Sequence, residues 1–135
     1  MAGKKRILVV DDEPGIQATL RARLEANGYE VLVASDGESG LQRARDDKPD
    51  LILLDLMLPK RDGYSLCRLI KFDNRFQHIP VIMLTARTQE RDRTLGRKTG
   101  ADAYVTKPFD AIQLLDTIRR LLDAREDPAR GESPA

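Results

Sequence analysis

The chain has 135 residues, of which 41% are hydrophobic, and it carries 23 lysines and arginines against 22 aspartates and glutamates. This length fits one domain of ordinary size and excludes most multidomain enzymes. The formal net charge of +1 gives no basic excess for counterion-driven binding, so direct binding of nucleic acid is not expected.

Short apolar runs alternate with stretches of helical spacing along the chain. In chain order they predict a strand at 6–10, a helix at 14–27, a strand at 29–34, a helix at 38–45, a strand at 51–54 and a helix at 63–72. The pattern ends with a strand at 81–84, a helix at 89–99, a strand at 103–106 and a last helix marked by Ile112, Leu115, Ile118 and Leu122.

The alternation predicts a doubly wound α/β fold, in which five parallel strands form a sheet with helices on both faces. The run at 51–54 is continuously apolar, as expected for a strand that is buried on both faces. From residue 124 onward no apolar side chain is larger than that of alanine. We therefore predict one domain over 1–123 and a disordered tail, or the beginning of a linker, over 124–135.

Two other features of the sequence bear on the compartment. The longest apolar run, residues 51–54 extended past Asp55 to Leu58, is far shorter than the roughly 20 residues of a membrane span. Cys67 is the only cysteine, so no internal disulfide can form. We predict a soluble, cytoplasmic protein that does not associate with a membrane, in which Cys67 packs as a small hydrophobic residue.

Polar residues follow four of the five predicted strands. In open α/β sheets ligands bind beyond the carboxyl ends of the strands. If the second strand lies at the edge, in the order 2-1-3-4-5, the polar endings meet on one rim. These endings are Asp11, Asp12 and Glu13 after the first strand, Asp55 after the third, Thr85 after the fourth, and Lys107 and Pro108 after the fifth.

The expected chemistry of this rim follows from its charges. Converging carboxylates repel one another, by about 3 kcal/mol per pair at about 5 Å and an effective dielectric near 20. Lys107 offsets part of that repulsion, and the hard oxygen ligands suit Mg²⁺. Asp55 is the natural nucleophile for a phosphoryl group, because an ionised carboxylate needs no general base.

Six motifs occur in a fixed order and spacing: Asp11-Asp12-Glu13, Leu53-Leu54-Asp55, Met57-Leu58-Pro59, Asp62-Gly63, Met83-Leu84-Thr85-Ala86 and Gly100-Ala101-Asp102-Ala103-Tyr104-Val105-Thr106-Lys107-Pro108-Phe109. Over about residues 5 to 123 the chain closely resembles the receiver domain of bacterial two-component response regulators, of the chemotaxis-regulator type. The resemblance implies a flavodoxin-like fold. The pair Lys60-Arg61 departs from the small or apolar residues often found there, while every chemical position of the family is present.

The resemblance implies that Asp55 accepts a phosphoryl group from a phosphohistidine, supplied by a sensor histidine kinase or a histidine phosphotransfer protein. Mg²⁺, or Mn²⁺ in its place, would be bound by Asp12 directly, by Asp11 largely through water, by Asp55 and by the backbone carbonyl of Met57. Glu13 is expected to be a surface or water-mediated neighbour.

Other site residues follow from the same resemblance. Thr85 would bond the phosphoryl group, Lys107 would pair with its oxygens, and Thr85 and Tyr104 would form the switch. Pro108 would follow a cis peptide that aims Lys107; alternatively it opens the last helix in the trans form. Met57 and Arg87 would tune hydrolysis, which we expect to take minutes or more.

The phosphorylated domain is expected to control an output partner through the face formed by the predicted helix at 89–99, the fifth strand and the last helix. The partner is either a downstream target protein or a C-terminal output domain. Positions that form ion pairs between subunits of dimeric family members are Ala103, Thr117, Arg93 and Gln113 here, so we predict a protein that is mostly monomeric.

An enzyme is the main rival class, but we predict a signalling domain that catalyses only its own phosphorylation and dephosphorylation. Phosphatases of the haloacid dehalogenase type need a second aspartate two residues after the nucleophile, and Met57 occupies that position. A flavin-binding protein of this fold needs a Ser/Thr/Gly-rich phosphate loop after the first strand. Three acidic residues stand there instead.

Overall fold

The computed structural model of the chain describes residues 3–56, 58, 62–85, 100–107 and 109–126. The strands in these residues are β1 (Arg6–Val10), β2 (Glu30–Ala34), β3 (Leu51–Asp55), β4 (Val81–Thr85) and β5 (Ala103–Thr106). The helices are α1 (Pro14–Ala26), α2 (Gly37–Asp47), α3 (Gly63–Lys71) and α4 (Ala111–Glu126). The predicted helix at 89–99 lies outside the described residues.

The five strands form one parallel sheet in the order β2-β1-β3-β4-β5, which confirms the predicted fold class. Val10 pairs with Leu54, Asp55 with Leu84, and Thr85 with Thr106. This register brings the carboxyl ends of β1, β3, β4 and β5 to one edge of the sheet, which is where the predicted polar rim lies.

The strands are apolar throughout because both faces of the sheet are covered. In β1, Leu8 and Val10 pack with α2 and α3, whereas Ile7 and Val9 pack with α1 and α4. All four of these side chains are fully buried. Side chains of a strand alternate between faces, so a two-sided core requires an uninterrupted apolar run.

Two large apolar residues within the predicted helices do not face the core. Ile112 is 80% exposed, and Leu69 in α3 is 39% exposed. The buried stripe of α4 is instead Leu114, Ile118 and Leu122, which follow one another at four-residue intervals. Ile112 lies two residues before this stripe, about 200° around the helix, because each residue turns an α-helix by about 100°.

The last helix runs to Glu126, so it continues beyond Asp123, where the sequence stops offering large apolar residues. A polar contact holds this extra turn, since Arg125 Nη1 donates to the carbonyl oxygen of Asp50 at 2.7 Å. Residues 127–135 lie outside the described part of the chain.

Cys67 packs in the core, as the sequence predicted. Cys67 is fully buried on α3 within the core between that helix and the sheet. His78 is exposed in the loop between α3 and β4. None of the described helices is long and apolar enough to cross a membrane.

Candidate functional site

Three carboxylates converge beyond the carboxyl ends of β1 and β3. Asp11 is fully buried, Asp55 is buried at the end of β3, and Asp12 is exposed. One carboxylate oxygen from each of them lies within 4.8 Å of the others. A set of hard oxygen donors with this excess of negative charge fits the ligand preferences of Mg²⁺.

Lys107 lies over these carboxylates from the end of β5. Its Nζ is 3.2 Å from Asp11 Oδ2, 3.4 Å from Asp55 Oδ2 and 3.9 Å from Glu13 Oε1. Burial alone would lower the pKa of Lys107, but the carboxylates of Asp55 and Asp11 outweigh it, so the pKa lies above its ordinary value. The side chain therefore stays cationic throughout the physiological pH range.

The backbone around Asp11 is held by hydrogen bonds that fix the direction of its side chain. Asp11 Oδ1 accepts the Glu13 N–H at 2.8 Å, which leaves Oδ2 facing Lys107. The amide of Gln17 donates to the Asp11 carbonyl oxygen and, at 3.1 Å, to Ser35 Oγ at the end of β2. The sequence did not single out Gln17, because a glutamine in the first turn of a helix is ordinarily solvated.

The backbone of Asp55 is packed directly against the start of α3. Gly63 N donates to the carbonyl oxygen of Leu56 at 2.9 Å, and a Cβ atom on Gly63 would overlap the carbonyl oxygen of Asp55. Asp62 caps the helix by accepting the Ser65 N–H at 2.8 Å. The Asp62-Gly63 motif was visible in the sequence, but the reason for the glycine is this close approach.

Thr85 lies at the end of β4, beside the strand that carries Asp55, and Tyr104 lies on β5, one strand farther away. Thr85 is buried, and its carbonyl oxygen accepts the Lys107 N–H, which ties the ends of the two strands together. The hydroxyl oxygen of Tyr104 is inaccessible to solvent, and the side chain packs against the core on the α2 and α3 face.

The structure thus brings together Asp11, Asp12, Asp55 and Lys107, with Glu13 at the margin and Thr85 at the end of the neighbouring strand. Met57, Arg87 and Pro108 lie outside the described residues, so their predicted roles stay predictions. These roles are the backbone metal ligand, the two tuning side chains and the cis peptide.

Comparison with known proteins identifies the family to which this fold belongs. Residues 7–119 match the model of the response regulator receiver domain. The chain belongs to this family. Receiver domains act in phosphorylation-dependent, two-component signalling, as the resemblance of the motifs implied.

Two curated relatives of this receiver domain are transcriptional regulators. The alkaline phosphatase synthesis transcriptional regulatory protein PhoP of Bacillus subtilis is 45% identical over 122 residues, which cover 90% of this chain and 50% of that protein. The DNA-binding dual master transcriptional regulator RpaA of Synechocystis is 48% identical over 117 residues, which cover 87% of this chain and 48% of that protein. The chain spans about half the length of these curated relatives.

Solved receiver domains have the same fold. A CheY-like receiver domain from Methanospirillum hungatei superposes with a TM-score of 0.86 at 32% identity, covering 92% of this chain and 98% of that one. The receiver domain of a sensor histidine kinase from Pseudomonas aeruginosa superposes with a TM-score of 0.83 at 34% identity, covering 90% of this chain and 99% of that one. The latter is described with a magnesium ion coordinated in its active site cleft.

Proposed function

We propose that this receiver domain accepts a phosphoryl group on Asp55 from the phosphohistidine of a sensor histidine kinase or a histidine phosphotransfer protein. The observation that carries the proposal is the position of Lys107 Nζ, which lies within ion-pair distance of both Asp55 and Asp11. Asp55 therefore lies beside a fixed cation and at the rim where a metal ion can bind.

In the proposed transfer, an oxygen of the Asp55 carboxylate forms a bond to phosphorus while the nitrogen–phosphorus bond of phosphohistidine breaks. The imidazole leaves with the electron pair and takes a proton from solvent. The Lys107 ammonium pairs with the transferred oxygens, and the Thr85 hydroxyl hydrogen-bonds to one of them.

Asp11, Asp12, Asp55 and the backbone carbonyl of Met57 are the proposed ligands of Mg²⁺, or of Mn²⁺ in its place. When bound, the ion neutralises negative charge on the phosphoryl group and on the carboxylates. The proposal is supported by the convergence of the three acidic side chains and by the magnesium ion described for the Pseudomonas aeruginosa receiver domain.

The proposed output is a change at the surface formed by the segment at 89–99, β5 and α4. Thr85 and Tyr104 connect this surface to Asp55, because β4, which carries Thr85, pairs with β3, and β5, which carries Tyr104, pairs with β4. The partner is a downstream target protein or a C-terminal output domain, as in the DNA-binding relatives. We place the protein in the cytoplasm, without direct nucleic acid binding by these residues.

We further propose that the domain stays mostly monomeric when activated. Thr117 occupies a position where dimeric family members carry an arginine, and it is buried with its Oγ1 donating to the Gln113 carbonyl oxygen at 2.9 Å. Threonine carries no charge, so Thr117 cannot contribute an ion pair to a symmetric interface. Light scattering with Mg²⁺ and beryllofluoride tests this, and a stable dimer at low micromolar concentration would contradict it.

Intact-mass measurement after incubation with acetyl phosphate and Mg²⁺ tests the phosphoacceptor. We expect one phosphoryl adduct on the protein of the original sequence and none on Asp55→Asn. Asp62→Asn is the matched control, because asparagine keeps the helix cap while the same charge is removed close by. An adduct that persists in Asp55→Asn, or disappears in Asp62→Asn, would overturn the assignment.

A further inference from the structure

The end of α3 that is distant from Asp55 carries an apolar surface that the fold does not use. Phe72 is 68% exposed and Leu69 is 39% exposed, and together with Arg68 they line two adjoining grooves. The larger groove, about 550 Å³, extends across to Arg45 near the end of α2. We call this surface the Phe72 groove. Exposed aromatic and arginine side chains lining one concave surface are typical of binding sites.

The charges around the Phe72 groove are predominantly positive. Arg45, Arg68 and Arg75 line it together with one acidic residue, Asp73. Arg75 Nη2 is 2.8 Å from Asp73 Oδ2, and hydrogen bonds from Arg75 lower the pKa of Asp73 to about 2. Arg75 and Asp73 therefore neutralise each other, and the remaining charge of the groove is that of Arg45 and Arg68.

These two guanidinium groups are available to a ligand. Within the described part of the chain, neither Arg45 nor Arg68 forms an ion pair. Arg68 instead lies over the ring of Phe72, with its Cζ 6.0 Å from the ring centroid. A carboxylate could bind the edge of that guanidinium while an apolar side chain covers the ring.

We propose that the Phe72 groove binds an acidic segment of a partner protein that also carries a large apolar side chain. Charge complementarity selects the occupant, because the groove offers two positive charges beside an exposed aromatic ring. An anionic membrane fits less well, since recognition of such surfaces uses clusters of about four to eight basic residues. Residues 127–135 of this chain contain two acidic residues but no apolar side chain larger than alanine, so they do not fit either.

This site is separate from the proposed phosphorylation site. α3 begins at Gly63 beside Asp55 and ends at Lys71, a rise of about 12 Å along the helix axis. Docking at the Phe72 groove therefore leaves Asp55 accessible. A partner held there would be recruited whether or not the domain is phosphorylated.

The test is an NMR titration of the isotope-labelled chain with two synthetic helical peptides of about 14 residues. Both carry the same leucine and phenylalanine at adjacent turns; one has glutamates beside them and the other has lysines at the same positions. We expect the acidic peptide to shift the signals of residues 65–75 and of Arg45. We expect it to bind at least about tenfold more tightly than the basic peptide and to weaken with added salt.

Three variants make the test specific. Phe72→Ala and Arg68→Glu should each weaken the acidic peptide by about tenfold or more, and Arg68→Glu should reduce the preference over the basic peptide. Ile112→Ala is the matched control, because Ile112 is also a highly exposed apolar side chain, 80% exposed, but lies on α4. It should leave binding unchanged.

Equal binding of the two peptides, or shifts that map outside the groove, would overturn the proposal. So would a Phe72-dependent self-association or binding to phosphatidylglycerol vesicles in the absence of peptide binding, which would assign the groove to a second copy or to a membrane. Acetyl phosphate labelling of the same variants tests the phosphorylation of Asp55 separately from binding at the Phe72 groove. It should proceed normally in all three, even if peptide binding fails.

Discussion

The acidic side chains at the two ends of the parallel sheet have opposite surroundings. At the amino end, the carboxylates of Asp50 and Asp102 each accept hydrogen bonds from more than one donor. At the carboxyl end, Asp11, Asp12 and Asp55 converge on Lys107. The charges at the amino end are used in contacts between elements, whereas those at the carboxyl end repel one another and are offset only in part by Lys107.

At the amino end each contact closes a connection between elements. Asp50 Oδ2 accepts the Arg6 N–H at 2.7 Å, and Arg125 at the end of α4 donates to the Asp50 carbonyl oxygen. Asp102 Oδ2 accepts the Val81 N–H at 2.8 Å and Lys71 Nζ at 2.9 Å. These bonds connect the ends of the helices to the starts of β1, β3 and β4.

Among the described residues at the carboxyl end, negative charge exceeds positive charge. Within the described residues, Lys107 is the only cation in ion-pair distance of Asp11 or Asp55. Counting these two aspartates with Asp12 and Lys107 gives three negative charges against one positive charge, a net charge of −2. This excess lowers the stability of the empty rim and favours a bound cation.

The largest expected change in stability follows from the loss of a carboxylate at the amino end. Asp102→Ala removes the acceptor of the Val81 N–H and leaves Lys71, whose side chain is 12% exposed, without its counterion. Lys71 Nζ keeps the carbonyl oxygens of Gln77 and Ile79 as acceptors. We therefore expect the free energy of unfolding to fall by about 2 kcal/mol, mainly because the Val81 N–H loses its acceptor and an unsatisfied buried donor costs about 1–3 kcal/mol.

Urea unfolding followed by circular dichroism measures this loss. Asp116→Ala is the matched control, since Asp116 pairs with Arg120 at 4.0 Å while its side chain is 69% exposed. The control should change stability by less than about 1 kcal/mol. If the two variants were equally stable, the amino-end contacts would not be the stabilising set that the comparison requires.

At the carboxyl end we expect the loss of a carboxylate to raise the free energy of unfolding, by a smaller amount. In the absence of divalent ions, Asp12→Ala removes one of the three repelling carboxylates and should stabilise the protein by about 1 kcal/mol. This magnitude is the Coulomb energy of a pair about 5 Å apart in a largely aqueous environment, which applies because Asp12 is exposed.

Mg²⁺ provides the second half of this prediction. It should raise the melting temperature of the unmodified protein by mass action and leave that of Asp12→Ala almost unchanged. Differential scanning fluorimetry with and without Mg²⁺ measures both quantities, and high salt without Mg²⁺ controls for general screening. A full response of Asp12→Ala to Mg²⁺ would place the direct ligand elsewhere.

The sequence was sufficient to predict the carboxyl end but not the amino end. Short apolar runs alternating with helical spacing predicted the parallel sheet, and the polar residues after four of the five strands predicted the rim, because strand ends in a parallel sheet converge by topology. Asp102 lies within one of the motifs, but nothing in the sequence identifies the partners of Asp102 and Arg125, which are 31 and 75 residues away along the chain. Long-range pairs of common surface residues have no local signature.

The sequence also does not reveal which apolar residues of a helix are exposed. Leu69 and Ile112 fit helical spacing, but spacing defines a stripe only to within a turn, and it is packing that selects which residues are buried. The continuation of α4 to Glu126 depended on one arginine reaching back to the loop before β3. Neither feature could be read from local composition.

The smallest expected effect is a pH dependence at the amino end, where His78 lies. Partial desolvation of the largely exposed imidazole, followed by the positive charges of Arg125 and Lys71, lowers the pKa of His78 below 6.5. The unfolded chain therefore binds this proton at a higher pH than the folded one. The contribution to stability is fully present above pH 6.5 and is lost as the pH falls from there through the lowered pKa.

Because the imidazole is exposed, solvent screening should keep this contribution below about 0.5 kcal/mol. Urea unfolding of the unmodified protein and of His78→Gln, each at neutral pH and about one to two units below 6.5, isolates it. Carboxylates titrate equally in both proteins, so the difference between the two pH dependences reports His78 alone. Identical dependences would show that the positive charges of Arg125 and Lys71 are screened from His78, and that the amino end stabilises the fold only through its direct hydrogen bonds and ion pairs.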